Sequence, residues 1–111
     1  MTDILDNIFE GLSNPKRRSI INTLAYRPAT ISQLAEEQQL SLPAIHKHIK
    51  VLERAQLIRR RKSGRTNYLA FNSSAMSAAQ DWINQYHTAW GSSQETLENY
   101  ISSLGKEHEP Q

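Results

Sequence analysis

Apolar residues recur three and four apart along most of this chain, and the places where that rhythm breaks divide it into elements. Ile4, Leu5, Ile8, Phe9 and Leu12 share one stripe, which predicts a short first helix over residues 3–12. Ser13 or Asn14 caps a second helix that opens on Pro15, where a missing N–H is harmless. Ile20, Ile21, Leu24 and Ala25 are its buried stripe, and Arg27-Pro28 ends it. Thr30, followed three residues later by Gln33, reads as the capping box of a third helix. That helix buries Ile31, Leu34 and Ala35 and stops near Gln39. Ser41 caps a fourth, which has Pro43 in its first turn, turns Ile45, Ile49 and Leu52 inward and ends near Ala55.

The period then shortens. Residues 57–62 and 66–71 are extended runs flanking Ser63-Gly64, the signature of a β-hairpin with its tip at residues 62–65. From residue 75 to 104 the helical rhythm returns, through Met76, Ala79, Ile83, Tyr86, Trp90, Ser93, Leu97, Tyr100 and Leu104. A helix of that length spans about 45 Å, more than the small domain it leaves can cover, so part of its apolar face requires a partner. Gly91 weakens its middle by about 1 kcal/mol relative to alanine. The expected fold is mainly α with a small β-hairpin (α+β): a winged helix-turn-helix with a long C-terminal dimerisation helix. Residues 1–104 read as one domain, with a recognition helix over 41–55, a wing over 57–71 and the dimerisation helix over 75–104. Residues 105–111 read as a disordered polar tail.

Charge sharpens this picture. The chain of 111 residues has a net charge of only +2, but residues 41–71 hold eight basic residues against the single acid Glu53. That block is +7 and the remainder −5, the electrostatic footprint of a polyanion site. With Ile45, Ile49 and Leu52 inward, the fourth helix presents Leu42, Pro43, His46, Lys47 and Lys50 outward, near an N-terminus capped by Ser41. Such a face can enter a major groove and reach base edges, while free N–H groups hold a phosphate. The hairpin adds Arg61, Lys62 and Arg65, placed for a neighbouring groove or its phosphates. The DNA-binding set is therefore Ser41, Leu42, Pro43, His46, Lys47, Lys50, Arg61, Lys62 and Arg65. The dimer interface is expected from Met76, Ala79, Ile83, Tyr86, Trp90, Leu97 and Leu104. Lys16, Arg17 and Arg18 crowd the first turn of the second helix against its macrodipole and call for a compensating anion, with internal ion pairs favoured over DNA phosphate.

Other chemistry finds little footing. The sequence has no cysteine, so disulfides, thiolate metal sites and thiol redox sensing are excluded. His46 and His48 stand two apart on different helix faces, whereas two metal ligands on one face need a spacing of three or four. His48 reads as a packed histidine with one hydrogen bond. No catalytic constellation emerges, and neither a cofactor nor a metal is expected. The acidic N-terminus and the lack of a long apolar run predict a cytoplasmic protein without a membrane partner.

Taken together, LSNPKRRSIINTL, TISQLAEEQQLSLPAIHKHIKVLERAQLI and RRRKSGRTNYLAF resemble the ArsR family of bacterial winged-helix repressors, over about residues 9–71. The resemblance implies a homodimer paired through its terminal helices, an operator of double-stranded DNA and release on a signal. Ser41, Leu42, Pro43, His46 and Lys47 match the start of the recognition helix, and residues 62–65 match the wing. Metal-sensing members carry a thiolate pair on the third helix, which here holds none. Their histidine and carboxylate site on the last helix has no match either, since Asp81 is followed by Trp82 and Ile83. The reading is a non-catalytic, sequence-specific regulator, a repressor acting as a homodimer on an inverted-repeat operator, its small-molecule or protein effector left unknown by the sequence. The alternatives are a ligand-responsive sensor with an aromatic pocket at the dimer interface, lined by Trp82, Tyr86 and Trp90, or a winged-helix module for protein or RNA contacts.

Overall fold

The structure, a computed structural model, describes residues 3–88 and 93–108, with side chains over 3–86 and 97–105. The chain forms two compact units, Met1–Ala79 and Gln80–Gln111. The first contains α1 (Ile4–Leu12), α2 (Pro15–Tyr26), β1 (Ala29–Thr30), α3 (Ile31–Gln38), α4 (Leu42–Arg54), β2 (Ile58–Ser63) and β3 (Thr66–Phe71). The architecture is a helix-turn-helix, α3 to α4, followed by a β-hairpin wing.

Local chemistry starts α2, α3 and α4 where the sequence indicates. Asn14 Oδ1 accepts from the backbone N–H groups of Lys16 and Arg17, with Pro15 next in line. Thr30 and Gln33 form the reciprocal capping box, and Ser41 Oγ accepts from Ala44 N–H. Two helices stop alike. Gln39 (φ 55°) and Gln56 (φ 59°) adopt the left-handed conformation after α3 and α4. Leu40 N–H then returns to Ala35 O, and Leu57 N–H to Leu52 O. These are Schellman-type closures, which glycine usually occupies.

Burial follows the apolar stripes. Ile8, Ile20, Leu34, Ile45, Ile49, Leu52, Leu57 and Leu69 are completely buried in one core. Gly11 lets α1 pack closely on α4 and the turn that follows it, because a Cβ there would stand 3.4 Å from Leu52 Cδ2 and 3.0 Å from Leu57 Cδ1. The sheet is antiparallel in the order β1-β3-β2, with Ala29 opposite Leu69 and Arg60 opposite Leu69 on its other side. Of the two loop residues at the wing tip, only Gly64 has positive φ (62°), the pattern of a type II′ turn. Asn72 closes the wing's base, donating its backbone N–H to Leu57 O and its side-chain amide to Gln56 O, each at 2.8 Å.

Several expectations are corrected. Ala25 is exposed, as are Ile4 and Phe9 of the α1 stripe. β1 is a two-residue strand, too short for any periodicity to announce. The helix expected over 75–104 begins as a 3-10 turn, Ser73–Met76, and continues as α5 (Ser77–Thr88) and α6 (Ser93–His108), with residues 89–92 outside the described ones. α6 also runs through Gly105 to His108, where a disordered tail was expected. One helical glycine costs only about 1 kcal/mol, and Lys106 and Glu107 are good helix formers.

In the second unit, α5 holds Trp82 and Tyr86 ring to ring, edge-on, with centroids 4.9 Å apart. α6 presents Leu97, Tyr100, Ile101 and Leu104 as exposed side chains at helical spacing.

Candidate nucleic-acid interface

α4 is amphipathic in the sense the argument needs. Its buried residues are Ile45, Ile49 and Leu52, while Ser41, Leu42, Pro43, His46, Lys47 and Lys50 are exposed. On the wing, all of residues 59–68 are exposed, including Arg61, Lys62 and Arg65. One wing cation points elsewhere. Arg60 shares the Leu69 face of the hairpin and donates to Glu53 Oε1 of α4 at 3.0 Å, which ties the wing's base to the helix. The nine residues expected to meet DNA thus all lie at the surface, on α4 and the adjoining hairpin. Arg59, which shares a strand face with Arg61, is a further exposed cation.

The cations of α2 have a different answer from the ion pairs expected. Lys16 Nζ donates to Gln38 O, at the end of α3, at 2.8 Å. Arg18 Nη1 donates to Leu12 O at 2.7 Å, and Arg17 to Glu10 O (2.7 Å) and Gly11 O (3.1 Å), all at the end of α1. The compensating negative charge is therefore the carbonyl end of two helices, where unpaired C=O groups and the macrodipole favour cations. Sequence spacing shows no carboxylate because none is involved. Beside these contacts, Thr23 Oγ1 donates to Glu37 of α3, and the buried Gln38 amide donates to Ser19 Oγ at 2.8 Å.

His48 is half-buried on the α2-facing side of α4, and Arg17 Nη1 stands 3.2 Å from its Nδ1. Burial, then the charges of Arg17 and Lys16, hold its pKa below the ordinary 6.5. A neutral imidazole in the fold binds protons later than one in the unfolded chain, so stability is complete above 6.5 and declines as pH falls below it. Urea midpoints measured at about pH 7.5 and 5.5 should drop for the natural protein and drop less for His48→Asn.

The residues expected at a dimer interface divide. Ala79 lies in the core of the first unit and Met76 packs against that core, so both are covered by their own chain. Their place is on the 3-10 turn and first turn of α5, which seal the helical bundle. Ile83, Tyr86, Leu97 and Leu104 are exposed, and Trp90 lies outside the described residues. Ile101 belongs to the same exposed stripe; it sits four residues from Leu97, a spacing visible in the sequence. No described helix is long and apolar enough to cross a membrane.

Comparison with known proteins agrees with this geometry. A family of helix-turn-helix domains matches residues 12–61. A crystal structure of an ArsR family transcriptional regulator superposes with a TM-score of 0.74 at 34% identity, over 79% of this chain and 97% of that one. The transcriptional repressor SdpR of Bacillus subtilis is 28% identical over 79 residues, 71% of this chain and 88% of that protein. The solution structure of a homodimeric winged helix-turn-helix DNA-binding domain from Mycobacterium bovis, a possible ArsR-family regulator, has a TM-score of 0.63 at 18% identity. It covers 77% of this chain and 81% of that one.

Proposed function

This chain belongs to the ArsR family of winged helix-turn-helix transcriptional regulators, which bind DNA and are not enzymes, and from that premise we propose that it is a cytoplasmic repressor that binds an inverted-repeat operator as a homodimer. The observation that carries the DNA contact is the division of α4: three fully buried isoleucine and leucine side chains on one side, His46, Lys47 and Lys50 exposed on the other. Leu42, His46 and Lys47, in the first turns, read base edges; Ser41 and the Leu42 N–H at the helix N-terminus seat a phosphate, with Pro43, which has no N–H to donate, lying against the backbone beside it; Lys50, Arg61, Lys62 and Arg65 hold the backbone. Pairing through α5 and α6 places two such helices on half-sites about 34–36 Å apart. The exposed apolar residues of α6 support the pairing, as does the homodimeric state of the Mycobacterium bovis domain. The repressor role follows the Bacillus relative.

The test uses a duplex selected by the protein from a random pool, beside a scrambled duplex. Lys47→Ala should cost about 1–3 kcal/mol on the selected duplex and relax the preference at one position per half-site. Arg65→Ala should weaken both duplexes by similar factors and flatten the salt dependence by roughly one unit of log–log slope. If Lys47→Ala and His46→Ala lower both duplexes equally, α4 is not the reader.

A further inference from the structure

Arg17 touches no surface assigned to DNA, yet its guanidinium joins three helices. Its backbone N–H is fixed by Asn14 Oδ1 at the start of α2. Nε and Nη2 donate to Gly11 O, Glu10 O and Ser13 Oγ at the end of α1, at 3.1, 2.7 and 3.3 Å. The remaining arm, Nη1, goes to His48 Nδ1 of α4 at 3.2 Å. A guanidinium only donates, so Nδ1 accepts and the ring proton sits on Nε2.

We propose that Arg17 and His48 act as positioning residues for DNA reading, by fixing the roll of α4 about its own axis against the end of α1. The inference rests on α4 being the reading helix. The apolar contacts of Ile45, Ile49 and Leu52 press α4 onto the core, but hydrophobic burial is non-directional and tolerates small rotations. A hydrogen bond is directional. A roll of about 15° moves a side-chain tip at roughly 6 Å radius by about 1.5 Å, enough to break a hydrogen bond from Lys47 or His46 to a base edge. Among the described residues, His48 is the α4 side chain that hydrogen-bonds to α2, and it lies one position from Lys47 and two from His46. The geometry of its acceptor therefore transmits directly to the reading face.

The clamp requires neutral imidazole, because a proton on Nδ1 would set N–H against N–H. The charged groups acting on His48 are Arg17 and Lys16 of α2, both cations. α1 meets Arg17 with carbonyl oxygens, and the α4 residues one turn away, Ala44, Ile45, Val51 and Leu52, carry no charge. The roll of α4 should loosen as the ring is protonated.

The variants are made at His48, so that the bonds of Arg17 to α1 stay in place. His48→Leu removes the acceptor, and His48→Asn restores one at the δ position. The readout is the ratio of affinities for the selected and scrambled duplexes, with circular dichroism and urea unfolding to establish that each variant is folded. His48→Leu should lower the ratio about tenfold, leaving scrambled-duplex affinity and its salt slope unchanged. His48→Asn should stay within about twofold of the natural protein. Between about pH 7.5 and 5.5 the ratio should fall further for the natural protein than for His48→Asn; His46 is present in both, so the difference between the two falls reads His48. A folded His48→Leu with an undiminished ratio overturns the clamp. If Lys47→Ala lowers the ratio and His48→Leu does not, reading by α4 stands and the clamp alone fails. If neither lowers it, both fail.

Discussion

Leu97→Asp should give a protein whose first unit remains folded but which sediments as a monomer and binds the selected duplex at least about a hundredfold more weakly. Leu97, Tyr100, Ile101 and Leu104 follow one another at i, i+3, i+4 and i+7 along α6, and are 61%, 59%, 57% and 36% exposed. Ile83 and Tyr86 of α5 are 49% and 64% exposed. Burying one such side chain in an interface is worth about 1.5–3 kcal/mol. A carboxylate in its place reverses the sign, because desolvating an unpaired charge is strongly unfavourable. Two linked reading helices gain about 10²–10⁴ in avidity over one, which sets the size of the loss. Sedimentation equilibrium at micromolar concentration, with binding to full and half operators, decides. A dimeric Leu97→Asp variant, or a monomeric natural protein, would refute pairing through α6.

The second large effect concerns folding. Leu52→Ala should lower the free energy of unfolding by about 2–5 kcal/mol, a large share of the 5–15 kcal/mol typical of a domain. Leu52 is fully buried where α4 meets α1, and its Cδ2 stands 3.4 Å from the position of a Cβ on Gly11. That close packing leaves little room for the site to collapse around a void. Leu42→Ala, on the same helix but 51% exposed, should shift stability by no more than about 0.5 kcal/mol. Urea unfolding of the two variants side by side checks the burial of one face. Duplex binding by the folded Leu42→Ala protein reports on the other.

The parts of the fold legible in the sequence are those set by near neighbours. Caps at Asn14, Thr30 and Ser41 act over two or three residues, and the stripe of α4 is a property of one helix. The outward set on α4 and the wing was readable for the same reason, since spacing alone separates Lys47 from Ile45. What escaped depends on distant partners. The cations of α2 end on carbonyls of α1 and α3, groups that every sequence possesses and no residue type announces. Ala79 and Ile83 hold equivalent places in one apolar series, yet one is buried by its own chain and the other is exposed. Periodicity assigns a face and is silent on what covers it. The clamp between Arg17 and His48 joins residues 31 positions apart, beyond any local pattern.

The way the wing is anchored bears on its motion in time. Its base is held from three sides, by Asn72 to the turn after α4, by Arg60 to Glu53, and by pairing with β1 at Leu69. From Lys62 to Asn67 the backbone pairing is of these two strands alone, and the residues are exposed. Amide hydrogen exchange should therefore be graded along the hairpin, slow at Leu69, where opening requires the core to unfold, and fast near Ser63 and Thr66, where local fraying suffices. An arm that frays only at its tip can adjust Lys62 and Arg65 to the local width of a groove without disturbing the register of α4, so fit to the backbone and reading of bases are kinetically separate events.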